Sequence, residues 1–392
     1  MTKGSKTAGR RGRAKKVPAV RIEDLPPHLQ RHALNEILRE DFRAFLRQVF
    51  ETLHPGEDYM QTWHIDLLCG KLARQRQGKR LRKIINLPPR SLKSIIVSVA
   101  LPAWLMGHDP AVKIIVVSYA DDLARKFSRD FRTIVTADWY RELFPAMKLG
   151  KNTETEIATT QGGYRIAAST GGVLTGRGAN LIILDDPIKP QDAESEVARP
   201  KNNHWFDKTL FARLDSKQHG SIILVMQRLH QNDLSGHLIE KGGFDLIALP
   251  ARAISDERWR LPDGRIHRRK AGQALHPERE SLEVLAEIEA SQGSRVFQAQ
   301  YQQAPVPAEG NLFKAAWIRY GDHPPLDQME IVQSWDTATG IGAKNDRSVG
   351  TTWGIKDKIY ITCSRCMSAA GSFRSSPGKW SRGPNCTKPA RF

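Results

Sequence analysis

KIINLPPRSLKSIIVS, residues 83–98, decides how this chain is read: an apolar run breaks at Pro88-Pro89 and restarts directly behind Lys93-Ser94. An extended run, a short loop and a new apolar run opening with Lys-Ser is the pattern of a phosphate-binding strand, loop and helix. In such a loop the backbone amides and the helix N-terminus hold phosphate oxygens, the lysine reaches the β- and γ-phosphates, and the next hydroxyl binds Mg²⁺. Lys93 and Ser94 fit those roles, and Pro89, Arg90, Ser91 and Leu92 complete the loop that would wrap ATP. The glycines of the usual G-x-x-x-x-G-K-[ST] spacing are absent, with Leu87 and Leu92 standing in their places. Taken alone the stretch is equally an ordinary strand-to-helix turn capped by Ser91.

The complementary signal is ANLIILDDPIK, residues 179–189. Four consecutive apolar residues suit a strand buried on both faces of a parallel sheet, and two carboxylates stand at its C-terminal end, where such sheets bind ligands. In a P-loop ATPase one acid there holds the Mg²⁺ shell and its neighbour polarises the attacking water; Asp185 suits the first role and Asp186 the second. Asp and Pro also favour plain turns, so the two segments carry weight together and in this order.

With both in view the chain resembles the large terminase subunits of tailed bacteriophages, ATP-driven motors that package DNA. The resemblance rests on Pro88-Pro89-Arg90-Ser91-Leu92-Lys93-Ser94, on Asp185-Asp186-Pro187, on a TGRGA turn at residues 175–179 and on a QRxHxxDLxG-like segment at residues 227–236. SWDTATGIGAKNDRSVGTTWGI at residues 334–355 further resembles the opening of that family's RNase H-like nuclease. The resemblance implies an α/β fold: a P-loop ATPase domain with a mostly parallel sheet, followed by the start of an RNase H-like nuclease domain. It implies Arg90 as the cation beside the γ-phosphate with Arg177 as runner-up, Gln61 and Trp63 near the adenine, and Gln227 and Arg228 as the coupling between nucleotide state and DNA grip. Asp336 matches the first nuclease acid and metal ligand, for Mg²⁺ or Mn²⁺, and Asp346 a nearby acid. Implied partners are double-stranded DNA, a small terminase subunit and the procapsid portal protein, within a homo-oligomeric ring in the bacterial host cytoplasm. The aspartate at 186 stands where many motors place glutamate, so Glu194 and Glu196 are alternative water-activating acids.

Bulk properties fit this reading. The 392 residues suffice for two domains, and 40% hydrophobic content supports ordinary cores. No apolar run is long enough to span a membrane, and the basic N-terminus leads into no signal-peptide core. Of the net charge of +18, residues 1–20 carry +7 and residues 363–392 carry +6, which leaves +5 for the 342 residues between. Basic ends can neutralise phosphates or merely solubilise. Cys363, Cys366 and Cys386 lack the fourth ligand of a zinc site, and Cys69 falls in a helical pattern.

The expected organisation is a basic tail over 1–20, an ATPase domain over 21–250, a connecting or lid subdomain over 251–325, an incomplete nuclease domain over 326–362 and a basic low-complexity tail over 363–392. One amphipathic helix is expected over 34–53, a second within 59–73 and another over 282–301; strands are expected at 84–87, 113–118, 164–168, 181–184 and 221–226. Residues 363–392 include twelve Ser, Gly or Pro and no acid, as a shifted reading frame or a joined fragment would produce, or a natural basic tail. Two other readings stand beside the motor: a helicase-like or other P-loop DNA translocase, and an inactive prophage remnant that binds DNA or assists assembly.

Overall fold

The structure, a computed structural model, describes residues 25–172, 174, 176–306, 319–320, 329–336, 348–356, 360–369, 381–382 and 390–391. It divides into two units, one ending at Val306 and the other beginning at Pro307. The expected tail over 1–20 and Asp346 lie outside the described residues.

The first unit is α/β. Its helices begin with α1 (Pro27–Glu40), α2 (Phe42–Leu53), α3 (Trp63–Leu72), α4 (Leu101–His108), α5 (Asp121–Thr136) and α6 (Asp138–Leu143). Its main strands are β1 (Arg82–Asn86), β2 (Lys113–Ser118), β3 (Leu149–Asn152), β4 (Glu156–Thr159), β5 (Tyr164–Ser169), β6 (Leu181–Asp185), β7 (Ser221–Met226) and β8 (Asp245–Ala248). They form one sheet in the order β3-β4-β5-β2-β6-β7-β1-β8, parallel from β5 to β8 and antiparallel at the β3-β4-β5 end. The expected parallel sheet is therefore present.

The apolar runs read as doubly buried strands behave that way. Ile85, Ile114, Val116, Ile183 and Ile223 point into a core built with α2, α3, α4 and α5, while Ile84, Ile115, Ile182, Leu184 and Leu224 point into a second core with Phe206, Leu210 and Leu238. Side chains alternate across a strand, so one continuous apolar run feeds two layers. The strand termini then converge at one edge, where β7 separates the β1 and β6 ends by a single strand.

The single helix expected over 34–53 is two. Asp41 takes an extended conformation (φ −104°, ψ 106°) and its carboxylate accepts from the Arg43 amide, which caps α2. A short acid able to bond its own backbone two residues on competes with helix continuation. A similar break divides 282–301 at Gly293, whose φ of 83° suits glycine.

Residues 251–306 belong to the first unit, against the expected subdomain running to 325. The Ala251 amide donates to Tyr301 O at 2.7 Å and the Arg228 amide to Gln303 Oε1 at 3.0 Å, so the chain is sewn back to the strand ends. This segment carries the antiparallel hairpin β9 (Glu257–Arg260) and β10 (Ile266–Arg269).

The second unit holds an antiparallel sheet of β11 (Arg319–Tyr320), β12 (Glu330–Asp336), β13 (Ser348–Lys356), β14 (Tyr360–Ala369), β15 (Ser381–Arg382) and β16 (Ala390–Arg391). Asp336 is the last residue of β12 and pairs with Val349. β14 runs across the boundary expected at 362, because β13 offers a backbone ladder along its whole length and such pairing does not require apolar alternation.

Candidate functional site: the loop between β1 and α4

Between β1 and the helix that becomes α4, the chain passes through two non-glycine residues in the left-handed region, Arg90 (φ 56°) and Leu92 (φ 57°). L-residues adopt that region at a cost, and such strain collects at ligand-binding turns. The turn thus has a glycine-loop backbone without glycine. Ser91 does not cap the helix; its hydroxyl donates to Pro88 O at 2.5 Å inside the turn. The first helical residues wind as a π-helix over Ile95–Ala100, a wider coil often found at functional sites.

The turn meets the end of β6. Ser94 Oγ donates to Asp185 Oδ1 at 3.0 Å, and Ser98 Oγ, one turn further, donates to Oδ2 at 2.7 Å. Lys93 Nζ lies 3.2 Å from Asp186 Oδ2. Asp185 is fully buried, and burial together with the neighbouring Asp186 charge pushes its carboxyl up to about 7, against the pull of Ser98, Lys93 and Ser94. Burial of this kind favours the neutral acid, and the Ser94 and Ser98 hydroxyls that donate to it favour the charged one. Asp186 takes φ 45°, tolerable for aspartate, and is held from both sides: its amide donates to Val225 O at 2.9 Å and its Oδ1 accepts from the Gln227 amide at 3.2 Å.

Above these groups opens a cavity of about 620 Å³, lined by Pro89 to Ile95, Asp186 and Gln227, with Phe50, Met60 and Ile65 on an apolar wall. That volume suits a nucleotide-sized ligand. Its floor is cationic and hydroxylic and its far side carries His64, His276 and Arg279.

The remaining expected residues separate into those at the cavity and those elsewhere. Arg90 lines it, with an exposed side chain. Arg177 does not; its guanidinium lies 2.9 Å from Glu156 and 5.5 Å over the Tyr164 ring. Glu194 and Glu196 are exposed and bound to Arg295 and Arg199 at 2.5 Å each, so among the acids considered for water activation only Asp186 borders the cavity. Gln61 donates to Asp66 Oδ1 at 2.8 Å and borders a neighbouring cavity instead. Trp63 stacks on His267 with ring centres 4.3 Å apart, and its indole N–H donates to Leu275 O at 3.3 Å. Arg228 turns away from the cavity onto the fully buried Asp233, whose carboxylate also caps the helix Leu234–Lys241.

Arg279 is the residue that sequence reasoning missed. It stands 189 positions from Arg90, donates to the Arg90 carbonyl, and so braces the left-handed turn from the segment after β8. No local pattern marks it, because the partner of its guanidinium is a backbone oxygen.

Among the described residues no group of three or more His, Cys, Asp or Glu is placed to hold a metal ion, and no helix is long and apolar enough to cross a membrane.

Neither a protein-family model nor a curated protein sequence matches the chain. Solved structures similar to it are phage large terminases. The HK97 bacteriophage large terminase is 11% identical with a TM-score of 0.46, over 81% of this chain and 65% of that one. The large terminase of a thermophilic bacteriophage in complex with ADP is 11% identical with a TM-score of 0.35, over 83% and 66%. The same thermophilic phage protein in complex with ATP-γ-S is 12% identical with a TM-score of 0.37, over 74% and 64%. The chain thus spans about two thirds of the length of these structures.

Proposed function

We propose that this chain is an ATP-hydrolysing motor subunit of the large-terminase kind, which moves double-stranded DNA into a procapsid. The observation that carries the ATPase reading is the meeting of Lys93 and Ser94 with Asp186 and Asp185 at the floor of one nucleotide-sized cavity. The DNA-packaging part rests on the ordered motifs of the sequence and on its basic ends.

A hydroxyl beside a buried carboxylate is the donor chemistry Mg²⁺ takes. Ser94 and Asp185 would hold the ion, which would supply charge neutralisation at the phosphates. Lys93 exchanges Asp186 for phosphate oxygens when a triphosphate enters, which frees Asp186 to orient water. Arg90, exposed at the rim, is the cation for the transition state. Gln227, whose amide holds Asp186, passes the state of the site to β7, and Arg228 carries it on to the helix Leu234–Lys241. Partners on this reading are duplex DNA, a small terminase subunit, a portal protein and further copies of the chain in a ring, in the host cytoplasm. On this reading Asp336 and Asp346 are acids of a nuclease half, and these two carboxylates by themselves would not hold two metal ions.

The test is steady-state ATP hydrolysis with and without duplex DNA. The parent hydrolyses ATP and DNA stimulates it, whereas Lys93→Ala loses turnover by at least about a hundredfold, the order expected when a group that neutralises transition-state charge is removed. Near-normal turnover in Lys93→Ala removes the loop assignment, and an active enzyme indifferent to DNA removes the motor.

A further inference from the structure

The β9-β10 hairpin presents two unlike faces. Residues alternate along each strand, so Trp259 and His267, cross-strand partners, face inward, where both rings meet Trp63 of α3. Arg258, Arg260, Ile266 and Arg268 face outward and are exposed. Arg258 stands directly opposite Arg268, and none of the three outward arginines has an ion pair or side-chain hydrogen bond among the described residues. Like charges directly across a ladder repel, and among the described residues no acid is paired with these three arginines. Acids of the hairpin and its start are engaged elsewhere, Asp263 with Arg265, Glu257 with Arg269 at 3.6 Å and the Trp259 indole at 2.9 Å, and Asp256 with the Ala271 amide at 2.9 Å, while Glu278 and Glu283 border the cavity that Arg268 also borders. The mount is rigid. Gly70 of α3 touches the Pro262 ring so closely that a Cβ there would lie 2.1 Å from it, and the buried Arg269 fixes the end of β10 through the carbonyls of Pro250, Ala251 and Gln273.

A braced ribbon whose three outward arginines have no ion-pair partner among the described residues fits a polyanion whose charges are regularly spaced. We infer that Arg258, Arg260 and Arg268 form a docking surface for the phosphate backbone of duplex DNA. The choice of DNA as occupant rests on the motor reading above; the charge complementarity is independent of it. A two-stranded ribbon is also a shape that the DNA major groove admits. The arginines meet phosphate and read no sequence. Because the inner face of the same ribbon packs on Trp63, three residues after the cavity-lining Met60, the surface is joined to the nucleotide site through one short stretch of chain.

The test is fluorescence anisotropy with labelled duplexes of unrelated sequence, over a range of salt. The triple variant Arg258→Glu, Arg260→Glu, Arg268→Glu weakens binding at least about tenfold for every duplex, and the slope of log Kd against log salt falls by about 0.9 for each phosphate no longer neutralised. The triple lysine variant keeps most of the affinity, since a point charge suffices for phosphate. A control that reverses three exposed lysines elsewhere, Lys148→Glu, Lys201→Glu and Lys208→Glu, has a smaller effect. An equal loss in the control shows that net charge carries binding and overturns the surface. Loss of poly-glutamate binding with DNA binding intact assigns the face to an acidic protein and overturns it also. A parent that binds DNA with an unaffected arginine variant removes this surface alone, whereas a parent that binds no duplex removes the motor reading as well.

Discussion

Asp186 shows how much a single residue is asked to do at this site. Its carboxylate holds Lys93 and the Gln227 amide while its backbone sits at φ 45°. Asparagine tolerates that conformation and can keep the Gln227 contact, so Asp186→Asn is expected to fold normally and bind ATP within a few-fold of the parent. Its turnover should fall by about two orders of magnitude, as for loss of a general base; equal losses in binding and turnover would give Asp186 a ground-state role instead. Asp185 was legible in the sequence because it ends an apolar strand whose burial fixes where that end emerges, and Lys93 and Ser94 because they stand directly before the apolar run that becomes the helix after β1. Arg279 was not, since its bond to a main-chain oxygen leaves no residue-type signature. His64 is a second case. Burial, with His276, Arg269 and Arg279 nearby, pushes its imidazole down to about 3. A histidine whose folded pKa lies below its unfolded value of about 6.5 gives stability that is complete above that pH and is lost as pH falls toward 3. At about 1.4 kcal/mol per unit, roughly 2 kcal/mol disappears between pH 6.5 and pH 5. The fall in Tm over that interval is expected to be smaller in His64→Gln; an unchanged fall would place the proton uptake on the other buried histidines.

At the level of elements, periodicity found the central strands but missed β3, β4 and β8. β3 and β8 are short and expose half or more of their residues, so neither carries a buried apolar run. Helix breaks at Asp41 and Gly293 escaped for a different reason: the apolar pattern continues through them, and only the local backbone bonding ends each helix. The docking of the hairpin on α3 was invisible because its key residue, Gly70, matters by having no side chain. Gly70→Val drives a branched side chain against the Pro262 ring, which cannot rotate away. Unfolding in urea should show a loss of about 1–3 kcal/mol, the usual cost of overpacking, and the Trp63 fluorescence environment should change with it. A stability equal to the parent's would mean that the turn at Pro262 yields freely.

Over the whole molecule, the division after Val306 was only partly legible. Prolines and weak periodicity suggested a separate subdomain after residue 250, whereas long-range backbone bonds such as Ala251 N to Tyr301 O tie 251–306 to the sheet. Such pairings have no local sequence signal. Among the described strands of the second unit β12 lies at the edge of its sheet, with Ile331 and Val332 both exposed. We expect the purified chain to nick supercoiled plasmid no faster than Asp336→Ala in Mg²⁺ or Mn²⁺, since two carboxylates do not hold two ions at fixed separation. Parent-specific nicking would show that further groups of this chain complete the site.

The bonds that link Lys93 to Asp186, Asp186 to the Gln227 amide, and Arg228 to Asp233 lie in series between the cavity and the helix Leu234–Lys241. In a series of springs the softest one sets the stiffness of the whole. Asp233 removes the obvious soft point, because one buried carboxylate takes the Arg228 guanidinium and the amides of Leu229, His230 and Gly236 together. If the chain is the motor proposed above, a displacement at Lys93 would reach the helix with little lost to stretch on the way, as a transmission requires if a stroke of ångström size is to do work against a load.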